Sequence, residues 1–281
     1  MSETPEPVAQ QQAAPLLATP SPAAPVAAAA PEPVSPARSR GRLAEYVESL
    51  LVTILLALFA TTFVLQAFKI PTPSMEPTLL VGDHLLVNKF VFGGSGAWYE
   101  RWLPYREIQR GDIVVFKFPF DDHTHYVKRV IGLPGDRLRI ADQQVYINGQ
   151  PLDEPYKVHT GYYDSYGNNF PPLRRDFPQR NVRPEWAAEI LHHVEGNELI
   201  VPAGRYFVLG DNRDSSLDSR FWGFIDRDSV MGRPLLIYFS VEATAEDYAD
   251  RTLSGRFSGL GKALGELPQR TRWDRMLTRV E

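Results

Sequence analysis

Residues 49–68 read SLLVTILLALFATTFVLQAF, twenty positions without a charge whose polar members are short hydroxyls and one glutamine. At 1.5 Å per residue, a helix of this length spans about 30 Å, the hydrocarbon thickness of a bilayer. The run predicts a transmembrane helix over 43–69, with Glu45 and Glu48 at the interface. A buried helix of a soluble core is the plainer alternative. A cleaved signal peptide fits worse, because the apolar run is too long and begins too late. Arg38, Arg40 and Arg42 precede the run and only Lys69 follows closely. The positive-inside rule then places the N-terminal tail in the cytoplasm and everything after Lys69 outside.

Upstream, residues 1–37 hold nine prolines, eleven alanines and no aromatic residue. Such a stretch cannot offset the entropy of ordering. Residues 1–42 are expected to be a disordered cytoplasmic tail with a basic flank, or a Pro-rich docking peptide.

Downstream, from 70 to 239, the pattern changes period. HLLVNKFVF, DIVVFKF, HYVKRVIGL, RLRI, QVYING, ELIVPAGRYFVLG and LLIYFSV are short and rich in β-branched and aromatic residues. Turn pairs such as Gly82-Asp83, Gly111-Asp112, Gly135-Asp136 and Asn148-Gly149 separate them. This predicts antiparallel β structure rather than a βαβ series. The expected fold is mainly β: a single N-terminal transmembrane helix, then an antiparallel β catalytic domain with a loop-rich insertion. The core is assigned to 70–136 and 205–245, and the inserted β/loop region to 137–204. Within the insertion, 150–195 shows no clean period, apart from a short helix expected near 184–193. A glycine-rich loop at 93–96 precedes Trp98 and Trp102. Residues 246–281 form a basic tail. Its Leu253, Phe257, Leu260, Leu264 and Leu267 sit at helical spacing, which suits an amphipathic helix on anionic lipid. A terminal helix packed on the domain, or a frayed end, fits equally well.

Composition excludes several chemistries. The 281 residues carry 30 basic and 34 acidic side chains, a net charge of −4, and no cysteine. No basic footprint points to nucleic acid. Disulfides, a cysteine nucleophile and cysteine-ligated metals are ruled out. The six histidines lie in no familiar triad context, and G-x-S-x-G and H-E-x-x-H are absent. His123-x-His125 would share one strand face, but no third ligand is evident. Neither a cofactor nor a metal is expected.

Three peptides carry the chemistry. In IPTPSMEPTL (70–79), prolines fix extended and turn geometry around Ser74, so the serine is displayed directly after the membrane helix. Alone, this is also a stiff linker. In YVKRVIGLPGD (126–136), Lys128 sits in apolar sequence on an expected strand. Burial would lower its pKa, while the alternative is a lysine that snorkels to water. GDNRDSSLDSRFWGFI (210–225) packs charges and hydroxyls before an apolar end. It reads as a surface loop or as a paired network folded against something apolar.

In order, spacing and position behind a membrane helix, these three peptides resemble motifs of the type I signal peptidases, from about residue 43 to about residue 240. The resemblance implies Ser74 as nucleophile and Lys128 as general base. Thr72 and the Ser74 N–H would form the oxyanion hole, and Ser216 would orient the lysine. Arg129, Asp211, Arg213, Asp218 and Arg220 would form a structural ion-pair network, with Arg129 facing Asp211. Met75 would lie near the lipid surface. The implied substrates are membrane-bound preproteins with signal peptides, cut on the outer side of the bacterial cytoplasmic membrane. The oligomeric state is left open. Ser74 and Lys128 are 54 positions apart, so their contact is implied by the likeness alone. An apolar strip of Phe68, Ile70, Met75, Leu79 and Leu80 is expected to dip into lipid. A soluble form lacking 1–68 should then keep its chemistry but work poorly without lipid or detergent. The rival reading is a membrane-tethered β-rich binding module without catalysis.

Overall fold

The computed structural model describes residues 42–92, 105–160, 168–172, 181–243 and 268–281. The Pro/Ala-rich tail, the glycine-rich loop with Trp98 and Trp102, and the leucine repeat of 253–267 lie outside them.

Helix α1 covers Arg42–Phe59, and none of its residues is buried. Leu50, Leu51, Leu55, Leu56 and Phe59 are all exposed. A helix this apolar, left unburied by the described residues, suits a non-aqueous surrounding. With the wider turn that follows, Arg42–Thr62 is 21 residues long and is the one span among the described residues able to cross a membrane by length and composition. The helix loosens into a π-type turn at Ala60–Val64, where Thr61 Oγ1 donates back to the carbonyls of Ala57 and Leu58. Such side-chain bonds compete with the regular ladder.

The apolar run does not stay helical to Phe68. Leu65–Lys69 is strand β1, paired antiparallel with β2 (Asp83–Asn88) from Leu65↔Asn88 to Lys69↔His84. A continuous apolar run has no period that separates helix from strand. A partner strand eighteen positions on decides the matter here.

The main sheet also contains β3 (Ile113–Phe118), β4 (Asp121–Gly132), β10 (Arg205–Leu209), β11 (Ile225–Asp226) and β12 (Val230–Ser240). Its order is β1-β2-β12-β3-β4-β10-β11, with antiparallel neighbours, and β13 (Thr278–Arg279) adds to β12. A second sheet uses β5 (Arg137–Ala141), β6 (Gln144–Ile147), β7 (Gln150–Pro151), β8 (Val194–Glu195) and β9 (Glu198–Ile200), in the order β7-β6-β5-β9-β8. Between β7 and β8, α2 (Pro184–Glu189) buries Trp186. The larger core joins both sheets through Val114, Phe116, Val130, Leu138, Leu199 and Phe207. A smaller one gathers Ile70, Met75, Leu79, Leu85, Val115 and Val280.

The described part of the C-terminal segment is not an amphipathic helix. A 3-10 turn at Trp273–Arg275 leads into β13, and Val280 is buried. Arg275 donates to Asp83 and to the carbonyl of Thr78, and Arg272 donates to the carbonyl of Val81. Asp83 is fully buried. A buried carboxylate needs such partners, and that need returns this basic segment to the domain.

Candidate active site

Ser74 sits in a 3-10 turn, Pro73–Met75, with Pro73 in the first turn and Thr72 extended before it. Proline's fixed φ suits a first-turn position, and its ring holds the preceding Thr72 in extended geometry. The loop is closed at its base, where Ile70 N donates to Asp83 O and Gly82 N donates to Ile70 O. Gly82 has φ +95, and a Cβ there would lie 1.9 Å from the carbonyl oxygen of Val241. Ile70, Met75 and Leu79 anchor the loop in the smaller core. Ser74 is thereby 6% exposed, and its carbonyl accepts from Asn212 N at 3.2 Å.

Lys128 lies on β4 opposite Val114 and is 5% exposed. Its Nζ donates to Ser74 Oγ at 2.7 Å and to the Val127 carbonyl at 3.1 Å. Burial lowers its pKa from 10.5 to about 8. Asp218 and Asp211 oppose that fall, and Arg220 adds to it. Removing solvent from an ammonium favours the neutral amine, which is the form able to accept a proton.

The 210–220 segment supports this pair from one side. Arg129 grips Asp211 with two bonds, Nε to Oδ1 at 2.8 Å and a terminal nitrogen to Oδ2 at 2.7 Å. Thr78 Oγ1 donates to the same carboxylate at 2.6 Å. Asp218 caps α3 (Ser219–Trp222) and binds Arg220 Nε at 2.8 Å. Burial alone would raise the Asp218 pKa, but the Arg220 guanidinium and the bond from the Gly210 amide bring it below the usual carboxylate value. Arg220 also donates to the carbonyl of Arg213. Arg213 turns the other way and pairs with Glu154. Removing one member of a buried pair strands the other, at a cost of about 3–5 kcal/mol.

Ser74, Lys128 and Thr72 line one cavity of about 290 Å3, together with Ser215 and Leu217. Ser216 is buried beside it, without a hydrogen bond to Lys128. It instead rests on Gly210, where a Cβ would meet Ser216 Oγ at 2.3 Å and the Ser74 carbonyl oxygen at 2.4 Å. Met75 is 1% exposed, and Ile70 and Leu79 are buried with it. These three therefore cannot dip into lipid. The small core under the serine loop needs them, and from the proposed strip only Phe68 and Leu80 keep partial exposure. Sequence reasoning missed Thr78, Glu154 and the close approach at Gly210. Thr78 and Gly210 each lie inside a quoted motif, whereas Glu154 lies in none.

A membrane-anchored β domain whose serine hydroxyl meets a buried, readily neutralised lysine defines a class: serine hydrolases that use an amine as base. The family model described as "Signal peptidase, peptidase S26" matches residues 43–239. Signal peptidase I of Pseudomonas aeruginosa is 32% identical over 218 residues, covering 70% of this chain and 73% of its own. That of Aquifex aeolicus is 33% identical over 224 residues, covering 69% and 83%. A crystallised signal peptidase I of Enterococcus faecalis aligns over 46% of this chain and 97% of its own at 35% identity, with a TM-score of 0.33. The chain belongs to the signal peptidase family. It is a membrane-held serine endopeptidase that removes N-terminal signal peptides.

Proposed function

We propose that Ser74 is the nucleophile and Lys128 the general base of this cleavage. The carrying observation is the 2.7 Å contact between a buried amine and a buried hydroxyl. Neutral Lys128 takes the Ser74 proton as Oγ bonds to the scissile carbonyl carbon. Negative charge develops on the carbonyl oxygen, where the Thr72 hydroxyl and the Ser74 N–H would donate. Each well-placed donor of this kind contributes about 2.7–4 kcal/mol. The lysine ammonium then returns its proton to the leaving amine, which becomes the N-terminus of the mature chain. Water, deprotonated by the same lysine, releases the signal peptide from Ser74.

An extended substrate has two strand edges to meet. Strand β1 ends the sheet, and β4 gains β10 as a partner only from Arg129 onward. Phe68 and Lys69 of β1, the 70–72 link that follows, and residues 124–128 of β4 line the cavity. Backbone pairing there would present the scissile bond to Ser74. Ser216, buried beside the cavity without a bond to Lys128, would orient the amine by turning its hydroxyl towards it. Arg129, Asp211, Arg213, Asp218 and Arg220 hold the loop that carries it. The arginines ahead of α1 favour a cytoplasmic N-terminus and an external β domain at the bacterial inner membrane. Residues 70–136 and 205–245 would form the catalytic core, and 137–204 an insertion. The substrates would be membrane-bound preproteins.

The test compares wild type with Ser74→Ala, Lys128→Ala and Lys128→Arg on a preprotein with an alanine-containing cleavage site. All three variants should lose cleavage, the arginine because it never gives up its proton. Native-site cleavage by Ser74→Ala or Lys128→Ala would overturn the assignment.

A further inference from the structure

Residues 154–160 follow β7 out of the small sheet and cross the 210–214 loop. Their backbone pairs with it: Val158 N donates to Asp211 O at 2.9 Å, and Arg213 N donates to Val158 O at 3.0 Å. Side chains add three contacts to the loop and one to Arg129 on β4. The Glu154 carboxylate, fully buried, accepts from Arg213. The Tyr156 ring lies 3.9 Å from the Arg129 guanidinium. His159 Nδ1 and Asp214 Oδ1 are 2.9 Å apart, and Thr160 Oγ1 donates to Asn212 Oδ1 at 2.7 Å.

The opposite side of the same loop touches the serine. Asn212 N donates to the Ser74 carbonyl, and Arg213 Nε donates to the carbonyl of Gly210, the residue packed against that oxygen. The 210–214 loop is thus held between the 154–160 segment and the peptide of Ser74. We propose that residues 154–160 set the position of Ser74 against Lys128, with Glu154 as a positioning residue acting through Arg213. The small sheet is then the outer jaw of a clamp around the nucleophile. This rests on the assignment of Ser74 and Lys128 above.

Physical chemistry singles out Glu154. A buried guanidinium without its carboxylate seeks another acceptor or water. Arg213 would then release the Gly210 carbonyl, and the serine peptide would lose its backing. Errors of about 1 Å in a reacting group can cost on the order of 100-fold in rate. The groups that act electrostatically on Lys128 are Asp218, Asp211 and Arg220, not Glu154. Loss of Glu154 should therefore change alignment and leave the proton equilibrium in place.

The experiment measures kcat and KM for the full chain in detergent on a peptide substrate, across pH, for wild type, Glu154→Gln, Thr160→Val and Ser74→Ala. Thr160 is exposed, so its variant keeps the fold if Glu154→Gln does not. The expected result is a kcat reduced about 10- to 100-fold in Glu154→Gln and less in Thr160→Val, with KM and the midpoint of the acid limb unchanged. Wild-type kcat in folded Glu154→Gln, or in Thr160→Val where the former does not fold, overturns the inference. So does a loss confined to KM or a shifted limb. Cleavage by Ser74→Ala would instead sink the underlying assignment, so the two failures are distinct.

Discussion

Because burial holds the Lys128 amine at a pKa of about 8, its protonation state should govern both rate and stability. In the proposed mechanism the neutral amine is the active base, so kcat/KM should climb with pH and level off above about 8. At pH 6 it should be ~100-fold below the plateau, a factor of ten per pH unit. A profile flat from pH 6 to 9 would refute a lysine base. Stability should follow the same group. Its folded pKa lies below the ordinary 10.5, so the unfolded chain binds more protons between about 8 and 10.5. Wild type therefore bears the full penalty of a buried ammonium below about pH 8 and sheds it as pH rises towards 10.5. Lys128→Met lacks the penalty. It should be inactive yet more stable at pH 7, by roughly 2–4 kcal/mol, with the advantage fading as pH rises through that window. Denaturant melts at several pH values check this. Gly210 is constrained differently. Gly210→Ala places a methyl carbon 2.3 Å from Ser216 Oγ and 2.4 Å from the Ser74 carbonyl. It should cost about 1–3 kcal/mol of stability and lower kcat more than KM in peptide assays. Sequence showed this glycine only as the start of a motif, because a close approach between distant segments leaves no local pattern.

At the scale of elements, the boundary between helix and strand has practical weight. A form beginning at Leu65 keeps β1, while one beginning at Ile70 removes it and leaves β2 with one neighbour fewer. The first should fold and cleave. The second should lose most activity, because β1 supplies one wall of the cavity. Circular dichroism with a peptide cleavage assay separates the two, and equal activity would show that β1 is dispensable. The C-terminal clasp makes a parallel case. Arg275→Met removes two hydrogen bonds from the buried Asp83, leaving the Arg272 guanidinium 3.8 Å away, and should cost about 2 kcal/mol, seen as a lowered denaturation midpoint. Strands with clear alternation and turn signals were legible in the sequence, as were β3, β4, β5, β6 and the short α2. β1 and β13 were not. Both are fixed by partners far along the chain, β1 within an apolar run and β13 within a basic tail. The ion pairs divide likewise. Arg129 with Asp211 could be expected from a family resemblance, whereas Glu154 with Arg213 joins a motif to a stretch without one.

Over the whole molecule, the exposed apolar helix and the burial of Ile70, Met75 and Leu79 separate two roles that the sequence alone merged. Much of the strip expected to wet the active site with lipid is core. The membrane should therefore act mainly through the tether and through the anchor of a membrane-bound substrate, as the following comparison tests. Tethering two reactants to one surface raises their effective concentration, and gains of about 100- to 10,000-fold are ordinary for linked encounters. That advantage vanishes when the substrate is a short soluble peptide. A form lacking residues 1–64 should then match the full chain within about threefold on such a peptide, with or without lipid, since no bond to the reacting groups is lost. On a preprotein anchored in the same vesicle, the full chain should be faster by about two orders of magnitude or more. Varying vesicle dilution at constant protein per vesicle reads the effect directly: the full chain's rate should hold, and that of the shortened form should fall. Equal rates on the anchored preprotein, unchanged by dilution, would mean that the helix does not serve encounter at all.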